Sequence, residues 1–300
     1  MRRWWLSPKK LAKLALIGGT AGVLATGCGP QYVVLHPAGP VAQKELNLMA
    51  LSAVAMGVVI LGVFVLFAVT VIRFRAKPGN RNPYLPNWYG HKWLEVLCFI
   101  VPAVILTVIA IPTVRSTYAL DQLPKGPKPL VVDVTSLDWK WLFQYPGQKI
   151  ASVNYLEIPA GRPVLFELTA DSPMNTFWIP RLGGMEYTMP GRVLPLWLEA
   201  NQPGTYWGRS GNFSGVGFDN MMFNVKAVSA SAFNTWVAGV KQSQPPMTMQ
   251  RYHQLLNAGT TGVTLFSAYP AQTFPAVKNG FTLEGGMYMV ASNTPQKLMP

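Results

Sequence analysis

The chain has 300 residues, of which half are hydrophobic and only 12% are charged. A typical soluble domain carries about 25% charged residues, so the composition argues against a wholly soluble protein. The formal net charge of +13 does not indicate a nucleic-acid partner, because the chain from Pro129 onward has 11 basic and 9 acidic residues and therefore no continuous basic face.

Residues 1–27 have the composition of a secretory signal peptide. Basic residues precede the apolar run LALIGGTAGVLA, and small residues then lead to Cys28. The sequence LATGC is typical of the site at which bacterial lipoproteins are cleaved before a cysteine that then carries lipid. We therefore predict cleavage after residue 27 and a covalent lipid on Cys28. An uncleaved hydrophobic anchor is the alternative.

Two apolar segments predict a transmembrane helical hairpin after an exported N-terminal segment, residues 28–45. Residues 46–72 contain no charged side chain, and a helix of that length reaches roughly 40 Å, more than the ~30 Å hydrocarbon layer requires. Residues 93–114 form the second apolar segment. It contains Pro102 and Pro112, which a span tolerates where neighbouring helices cover the freed carbonyl groups.

The linker between the two apolar segments, residues 73–92, predicts the orientation of the hairpin. It contains five Lys or Arg residues and no acidic residue, so the positive-inside rule places it in the cytoplasm. Both termini then lie outside. The sequence therefore predicts a multi-pass protein of the bacterial inner membrane with its large C-terminal domain in the periplasm.

Glu95 is the carboxylate at the cytoplasmic start of the second apolar segment, and its residue type allows two interpretations. A carboxylate in the first turn of a helix is favoured by the helix dipole. Ionisable side chains within membrane spans are also often functional, for example as proton carriers. The sequence by itself leaves both open.

Residues 129–230 predict an exported all-β domain. Short segments rich in Val, Leu and aromatic residues alternate with turn sequences such as PAGRP, NQPG and GNFSG. This spacing favours an antiparallel sandwich or barrel. In the C-terminal extension, residues 231–300, the segment AFNTWVAGVKQ predicts an amphipathic helix, and the remainder predicts an irregular tail with little core of its own.

Four motifs carry a resemblance to a known family. They are the strand DWKWLF, the strand NTFWIP, the turn MPGR and the loop GRSGNFSGVGFDNMMF. Together with two preceding helices, they resemble subunit II of the haem–copper respiratory oxidases over residues 28–236. The resemblance implies a cupredoxin-like sandwich behind a two-helix membrane hairpin.

The resemblance also implies a lost metal site. The cytochrome c oxidase branch of this family holds a binuclear copper centre with a His before an FW-P strand and with the later pattern C-x-E-x-C-G-x-x-H-x-x-M. Thiolate and imidazole are the ligands that hold such copper. At the matching positions this sequence has Asn175, Ser210, Asn212, Ser214, Phe218 and Met221. Of these only Met221 is a family ligand, so we expect no metal here and packing roles for Met221 and Phe218.

A chain without this copper centre resembles the quinol oxidase branch, and specifically subunit II of the cytochrome o type ubiquinol oxidases. Such a complex would oxidise ubiquinol, reduce oxygen to water and translocate protons. The haems, the remaining copper and the quinol site would lie in subunit I, so this chain would bind no cofactor beyond the lipid. Its partners would be subunit I, further membrane subunits and the bilayer.

The resemblance bears on two single residues as well. Glu95 matches a carboxylate that the family places at the mouth of a proton-uptake path into subunit I. Trp139 occupies the position of the aromatic electron-entry residue of the cytochrome c branch, and without copper below it we expect it to be a packing residue. Cytochrome c is not an expected partner, since a docking face for that basic protein should be acidic and the exported part is nearly neutral.

One function of a different class stays open. The chain could be an independent lipoprotein with a copper-free cupredoxin-like domain that acts as a binding or assembly factor, although a lipoprotein anchor needs no helical pair. The three histidines, His36, His91 and His253, have no metal-ligand spacing. We expect all three on solvated surface.

Overall fold

The computed structural model describes residues 32–75, 90–124, 126–171 and 173–274. The predicted signal peptide, Cys28, most of the basic linker and the last 26 residues of the extension lie outside these ranges. The chain divides into two units, residues 1–36 and residues 37–300. In the first, the described residues contain one 3-10 turn, Val33–Leu35. All other elements belong to the second.

The two apolar segments form long helices that extend beyond their predicted ends. Helix α1 spans Pro40–Arg73 and helix α2 spans Lys92–Leu120. Helix α1 begins six residues before the apolar segment because Pro40 suits a first helical turn and the next two residues, Val41 and Ala42, are buried. Helix α2 continues through both of its prolines. The apolar side chains of both helices are largely exposed in the isolated chain.

The domain that follows is a sandwich of two sheets. The first sheet has the strand order β11, β3, β2, β1, β5, β8 and the second has the order β4, β10, β9, β6, β7. The strands of the first sheet are β1 (Leu130–Leu137), β2 (Lys140–Tyr145), β3 (Ile150–Val153), β5 (Val164–Ala170), β8 (Leu194–Leu198) and β11 (Thr264–Phe266). Those of the second are β4 (Tyr155–Pro159), β6 (Asn175–Trp178), β7 (Met185–Thr188), β9 (Gly204–Ser210) and β10 (Met222–Val228).

The expectation of a purely antiparallel sandwich is wrong in one respect. Strand β1 pairs in parallel with β5, and β10 pairs in parallel with β4. Parallel neighbours need a crossover connection, and here the chain makes it by changing sheets, since β4 lies in the sheet opposite β1 and β5. Residue periodicity within a strand carries no information on such pairing.

The core between the sheets is aromatic. Trp141 packs edge-on against Phe177 and Phe223, with ring centroids 5.4 and 5.6 Å apart. Phe177 and Phe223 stack at 5.2 Å. All three side chains are fully or almost fully buried, and edge-to-face pairs of this kind add roughly 0.5–1.5 kcal/mol beyond the buried area. The DWKWLF and NTFWIP motifs therefore supply the centre of the core.

The C-terminal extension contains more structure than the sequence predicts. The expected amphipathic helix is present as α3, Ala230–Ser243. A further helix, α4 (Met249–Leu256), and strand β11 follow it. Strand β11 extends the first sheet at its edge beside β3, and α4 covers the outer face of that sheet. Both contribute to a second apolar cluster. Its members are Leu137, Leu142, Ala151, Val153, Met247, Leu255 and Phe266.

Candidate functional site

The loop that joins β9 to β10, residues 211–221, is the candidate site. It lies beside the start of β6, because Ser210 at the end of β9 pairs with Phe177 of β6. The amide of Gly211 donates to the carbonyl oxygen of Thr176 (3.3 Å), which ties the loop to β6. The positions that the resemblance assigns to copper ligands are thus carried by two neighbouring strands and one loop.

Asn175 and Ser210 meet directly. The Ser210 hydroxyl Oγ donates to Oδ1 of Asn175 at 3.0 Å, and both side chains are almost fully buried. Nδ2 of Asn175 donates to the carbonyl oxygen of Pro173 at 3.0 Å. The residues at the first His and first Cys positions of the copper pattern therefore satisfy each other's polar groups, as buried polar groups must.

The next two positions lie in the loop itself. Nδ2 of Asn212 donates to the carbonyl oxygen of Met174 at 2.9 Å, so this side chain is used to fasten the loop to the residue before β6. The hydroxyl of Ser214 is buried and has no hydrogen-bond partner among the described residues. Such an orphaned hydroxyl costs about 1–3 kcal/mol unless water reaches it, so the Ser214 hydroxyl does not stabilise the loop.

Phe218 and Met221 both make apolar contacts, Phe218 at the surface of the loop and Met221 in the core. The ring of Phe218 lies 5.7 Å from that of Phe213, with the guanidinium of Arg209 5.9 Å from its centroid. Met221 is fully buried in the main core. Its carbonyl oxygen accepts from the amide of Ser210 at 3.3 Å, so the thioether residue acts as a core side chain that also closes the loop.

Trp139, in the turn between β1 and β2, packs against the loop. Its indole Nε1 donates to the carbonyl oxygen of Ser214 at 3.2 Å, and its ring packs on two glycines. A Cβ added to Gly215 would come within 3.0 Å of the ring, and one added to Gly217 would enter it. Trp139 has a positive φ of 62°, a conformation that costs energy for a non-glycine residue. The loop holds the strained hairpin turn in place.

These donor groups do not fit a binuclear copper centre. Two amides, two neutral hydroxyls, a phenyl ring and one thioether offer neither a bridging thiolate nor an imidazole nitrogen, the ligands that such copper prefers. The Asn175 and Ser210 side chains are also already hydrogen bonded to each other. These side chains form a small polar core, and we derive no electron-transfer step through them.

Glu95 lies in the first turn of α2, with its backbone amide donating to the carbonyl oxygen of His91 at 3.0 Å. Its carboxylate turns back over Gly90, where Oε1 lies 2.9 Å from the position of an added Cβ. This location near the helix N-terminus suits a negative charge. The side chain is exposed in the isolated chain, which leaves it available to a partner. His36, His91 and His253 are exposed as expected.

Sequence reasoning missed a set of contacts that seats the outer ends of both helices on the sandwich. Oε1 of Glu45 in α1 accepts from the amide of Gly184 at 2.8 Å. Nε1 of Trp197 in β8 donates to the carbonyl oxygen of Leu120, the last residue of α2, at 2.6 Å. The GG pair in RLGGMEYTMP was the available signal, since adjacent glycines often mark a close backbone approach.

Comparison with known proteins places this geometry in a family. Residues 147–228 match the protein family described as "Cytochrome C oxidase subunit II, periplasmic domain". These residues run from just before β3 to the end of β10. A quinol oxidase subunit 2 of Bacillus cereus is 45% identical over 246 residues, with 81% of this chain and 84% of the relative covered. The chain belongs to the quinol oxidase subunit 2 family of the haem–copper oxidases.

Other members of the quinol oxidase subunit 2 family are nearly as similar. A quinol oxidase subunit 2 of Bacillus subtilis is 40% identical and covers 83% of this chain and 78% of the relative. A ubiquinol oxidase subunit 2 of Acetobacter aceti is 40% identical and covers 86% and 85%. Among solved structures, the periplasmic domain of cytochrome oxidase subunit II of Bradyrhizobium japonicum matches 39% of this chain and 96% of that domain, at 22% identity and a TM-score of 0.37.

Proposed function

We propose that this chain is the non-redox subunit II of a bacterial membrane enzyme that oxidises ubiquinol, reduces oxygen to water and translocates protons. The observation that carries the proposal is the hydrogen bond between Ser210 and Asn175. It occupies two side chains at positions where the cytochrome c branch has copper ligands. Electrons therefore enter subunit I directly from a lipid-soluble donor.

The redox groups of the proposed enzyme belong to subunit I. This chain's donor groups suit no copper centre, so the haems, the remaining copper and the quinol site lie in the large partner. Ubiquinol is the donor that the name of the Acetobacter aceti relative gives for that protein. Cytochrome c is not a donor in this proposal, because the exported part of the chain is nearly neutral overall, whereas net negative charge favours the docking of a basic partner.

Two exposed apolar surfaces support a membrane partner. The side chains of α1 and α2 between their ends are mostly exposed in the isolated chain, as expected for helices that pack against lipid and against other helices. On the candidate loop, Phe213 is 76% exposed and Val216 is 90% exposed. Exposed apolar side chains on this loop are available for a protein contact, and in the proposal they contact subunit I.

The proposed topology follows the charge distribution. The basic linker lies in the cytoplasm, and both the sandwich and the N-terminus lie in the periplasm of the inner membrane. Cleavage before Cys28 and lipid on that residue add a second anchor near the start of α1. A chain made without the lipid, by changing Cys28→Ser, should still be inserted by its two helices.

Purification in mild detergent separates this proposal from the assembly-factor alternative. We expect the chain to co-elute with a many-helix partner that contains haem, and the complex to consume oxygen with ubiquinol but not with reduced cytochrome c. A chain that elutes alone and colourless would favour the assembly factor. Oxygen consumption with cytochrome c at the ubiquinol rate would contradict the non-redox role.

Glu95 is proposed to lie at the entrance of a proton path into subunit I. Glu95→Gln should slow oxygen consumption several-fold, because the amide does not exchange a proton, while the haem content of the complex stays unchanged. Glu95→Asp, which keeps the carboxylate, is the matched control and should retain most of the rate. Equal turnover of the wild type and Glu95→Gln would limit Glu95 to its helix N-terminal position.

A further inference from the structure

Two carboxylates lie side by side on the outer face of the first sheet, beneath the C-terminal extension. Asp133 of β1 and Glu167 of β5 are direct partners in the parallel pairing of these strands, and Asp133 is only 7% exposed. On the other side, Gln144 of β2 is the antiparallel partner of Asp133. Residues in such register positions share a face with Cβ atoms about 5 Å apart. We call Asp133 and Glu167 the acid pair.

The neighbourhood of the acid pair has acceptors without donors. Nε2 of Gln144 donates to Oγ1 of Thr273 at 2.6 Å, and that hydroxyl donates onward to the carbonyl oxygen of Pro270 at 2.7 Å. The amide oxygen of Gln144, which is wholly buried, is left without a partner in the described structure, as is Oδ1 of Asp133. Buried acceptors of this kind require a donor. A protonated carboxyl group of the acid pair would supply one.

The segment that covers these groups is residues 264–274, which we call the strap. It begins with β11 and continues to the turn that holds Thr273. Its contacts to the rest of the extension include the Ser267 amide donating to the carbonyl oxygen of Pro245 (3.1 Å) and the Met247 amide donating to that of Ala268 (2.8 Å). These two amides report whether the strap is docked.

Two titratable groups of the described residues face Asp133, the carboxyl group of Glu167 and the phenol of Tyr269. Burial first, and then the charge and hydrogen bond of Glu167, raise the pKa of Asp133 to about 7. Burial also raises the pKa of Glu167. From the strap, Tyr269 faces Asp133, and burial followed by the charge of Asp133 raises its pKa to about 12.

The lysine on the same face does not neutralise the acid pair. Nζ of Lys140 donates to the carbonyl oxygens of Leu255 (3.0 Å) and Asn257 (2.7 Å) at the end of α4. Its charge therefore serves the helix C-terminus, where cations are favoured. The simplest hydrogen-bond donor for the acid pair is therefore the hydroxyl group of one protonated carboxyl.

We propose that Asp133 and Glu167 share one proton, and that this proton fastens the strap to the sheet as a pH-dependent latch. In the closed state the pair carries one negative charge, and one carboxyl hydroxyl donates to a neighbouring acceptor. Loss of the proton to solvent leaves two adjacent carboxylates. Their mutual repulsion destabilises the docked strap that covers them. The latch is a property of the exported domain and does not depend on the proposed oxidase function.

The direction of the pH dependence follows from proton linkage. The pKa of Asp133 in the folded chain, about 7, lies above its ordinary value of 3.8, so the folded state binds more protons than the unfolded state between these values. Docking of the strap is therefore strongest at acidic pH and weakens as the pH rises through that range. An exported domain in an acidified compartment would hold its strap closed.

Hydrogen exchange of the full chain in mild detergent tests the latch. The protection factors of the Ser267 and Met247 amides, corrected for intrinsic exchange, are measured between pH 5.5 and 8.5. We expect protection to fall by up to about tenfold per pH unit between pH 5.5 and about 7, where only the docked state holds the proton, and to level off at higher pH. Asp133→Asn should remove this pH dependence, whereas Asp219→Asn, which changes an exposed carboxylate, should retain it.

Glu167→Gln provides a second test that does not depend on how well Asp133→Asn folds. Without the charge of Glu167, Asp133 should ionise at lower pH, so the pH at which protection levels off should move down by at least half a pH unit. An unchanged levelling-off pH in this variant would overturn the shared proton. So would wild-type protection factors that are equal at pH 5.5 and 8.5.

Discussion

At the scale of single residues, the chemistry of the candidate loop depends on which polar groups are already satisfied. Asn175 and Ser210 hydrogen bond to each other, and Asn212 holds the loop to Met174. Among the buried side-chain atoms that the structure describes in this loop, the Ser214 hydroxyl is left without a partner. The loop is therefore a folded connection between β9 and β10 whose polar residues serve its own stability.

The Asn175–Ser210 contact predicts a measurable loss of stability. Asn175→Ala should lower the free energy of unfolding by about 1–3 kcal/mol, because it leaves the buried Ser210 hydroxyl and the Pro173 carbonyl with fewer partners. Denaturant unfolding followed by tryptophan fluorescence measures the change. Asn220→Ala, an exposed position in the same loop, should change the value by less than about 0.5 kcal/mol. Equal effects of the two changes would contradict this role.

The sequence located these residues but not their contacts. The spacing of the motifs gives the positions 175, 210, 212, 214, 218 and 221, because a family pattern preserves spacing. Whether Asn175 reaches Ser210 depends on the register between β6 and β9, where Phe177 pairs with Ser210. Register is set by the packing of both strands against the whole core, and no local pattern contains it.

At the scale of elements, the outer end of α1 is fixed to the sandwich by close backbone approach. A Cβ on Gly39 would overlap the carbonyl oxygen of Glu199, and one on Gly183 would lie 2.5 Å from a methyl of Leu198 and 2.8 Å from one of Val41. Glu45 adds its hydrogen bond to Gly184. The helix and the sandwich are therefore held in one relative position by glycines.

This close approach between α1 and the sandwich predicts that alanine substitutions at two glycines, one just before α1 and one within it, differ in their effect on stability. Gly39→Ala should destabilise the chain by roughly 1–3 kcal/mol, since the backbone carbonyl of Glu199 cannot move aside without disturbing the sandwich. Gly57→Ala, where an added Cβ meets nothing within 4 Å in the isolated chain, is the control and should leave the sandwich unaffected. Thermal unfolding of the sandwich is the measurement. Identical midpoints for both variants would refute the close approach.

The extension depends on Lys140 in a similar way. Lys140→Met should loosen α4, because the ammonium no longer satisfies the carbonyl oxygens of Leu255 and Asn257, and the loss should be about 1–2 kcal/mol. Hydrogen exchange of the α4 amides measures it. Lys226→Met, at an exposed position of β10, is the matched control, and unchanged exchange in Lys140→Met would contradict the capping role.

Helices and strands differed in how well the sequence predicted them. The two apolar segments are long enough to span a membrane, and α3 has apolar residues at helical spacing, so the sequence predicts all three helices. Strand β11 has three residues and α4 has eight, too short for a clear pattern. Strand β11 pairs with the edge of β3, and α4 covers apolar residues of the outer face such as Leu142 and Val153. Both needs are visible only when the sheet is assembled.

At the scale of the whole molecule, the chain combines two exposed apolar helices, a sandwich and a layer that covers its outer face. The helices and the exposed loop residues Phe213 and Val216 are surfaces that need partners, whereas the sandwich is complete by itself. Composition and charge predicted this division, because the basic residues concentrate before Pro129. In the proposed function, the polar core at the positions that the resemblance assigns to copper ligands leaves the chain to support electron transfer in a partner.

The measurement that tests this role most directly is the copper content of the chain. The purified complex is dissociated, subunit II is separated, and its copper is determined by mass spectrometry alongside the copper and haem of subunit I. We expect negligible copper in this chain and one copper atom in the partner, with oxygen reduction supported by a quinol. Two copper atoms per copy of this chain, or rapid reduction of the complex by a soluble cytochrome, would contradict it.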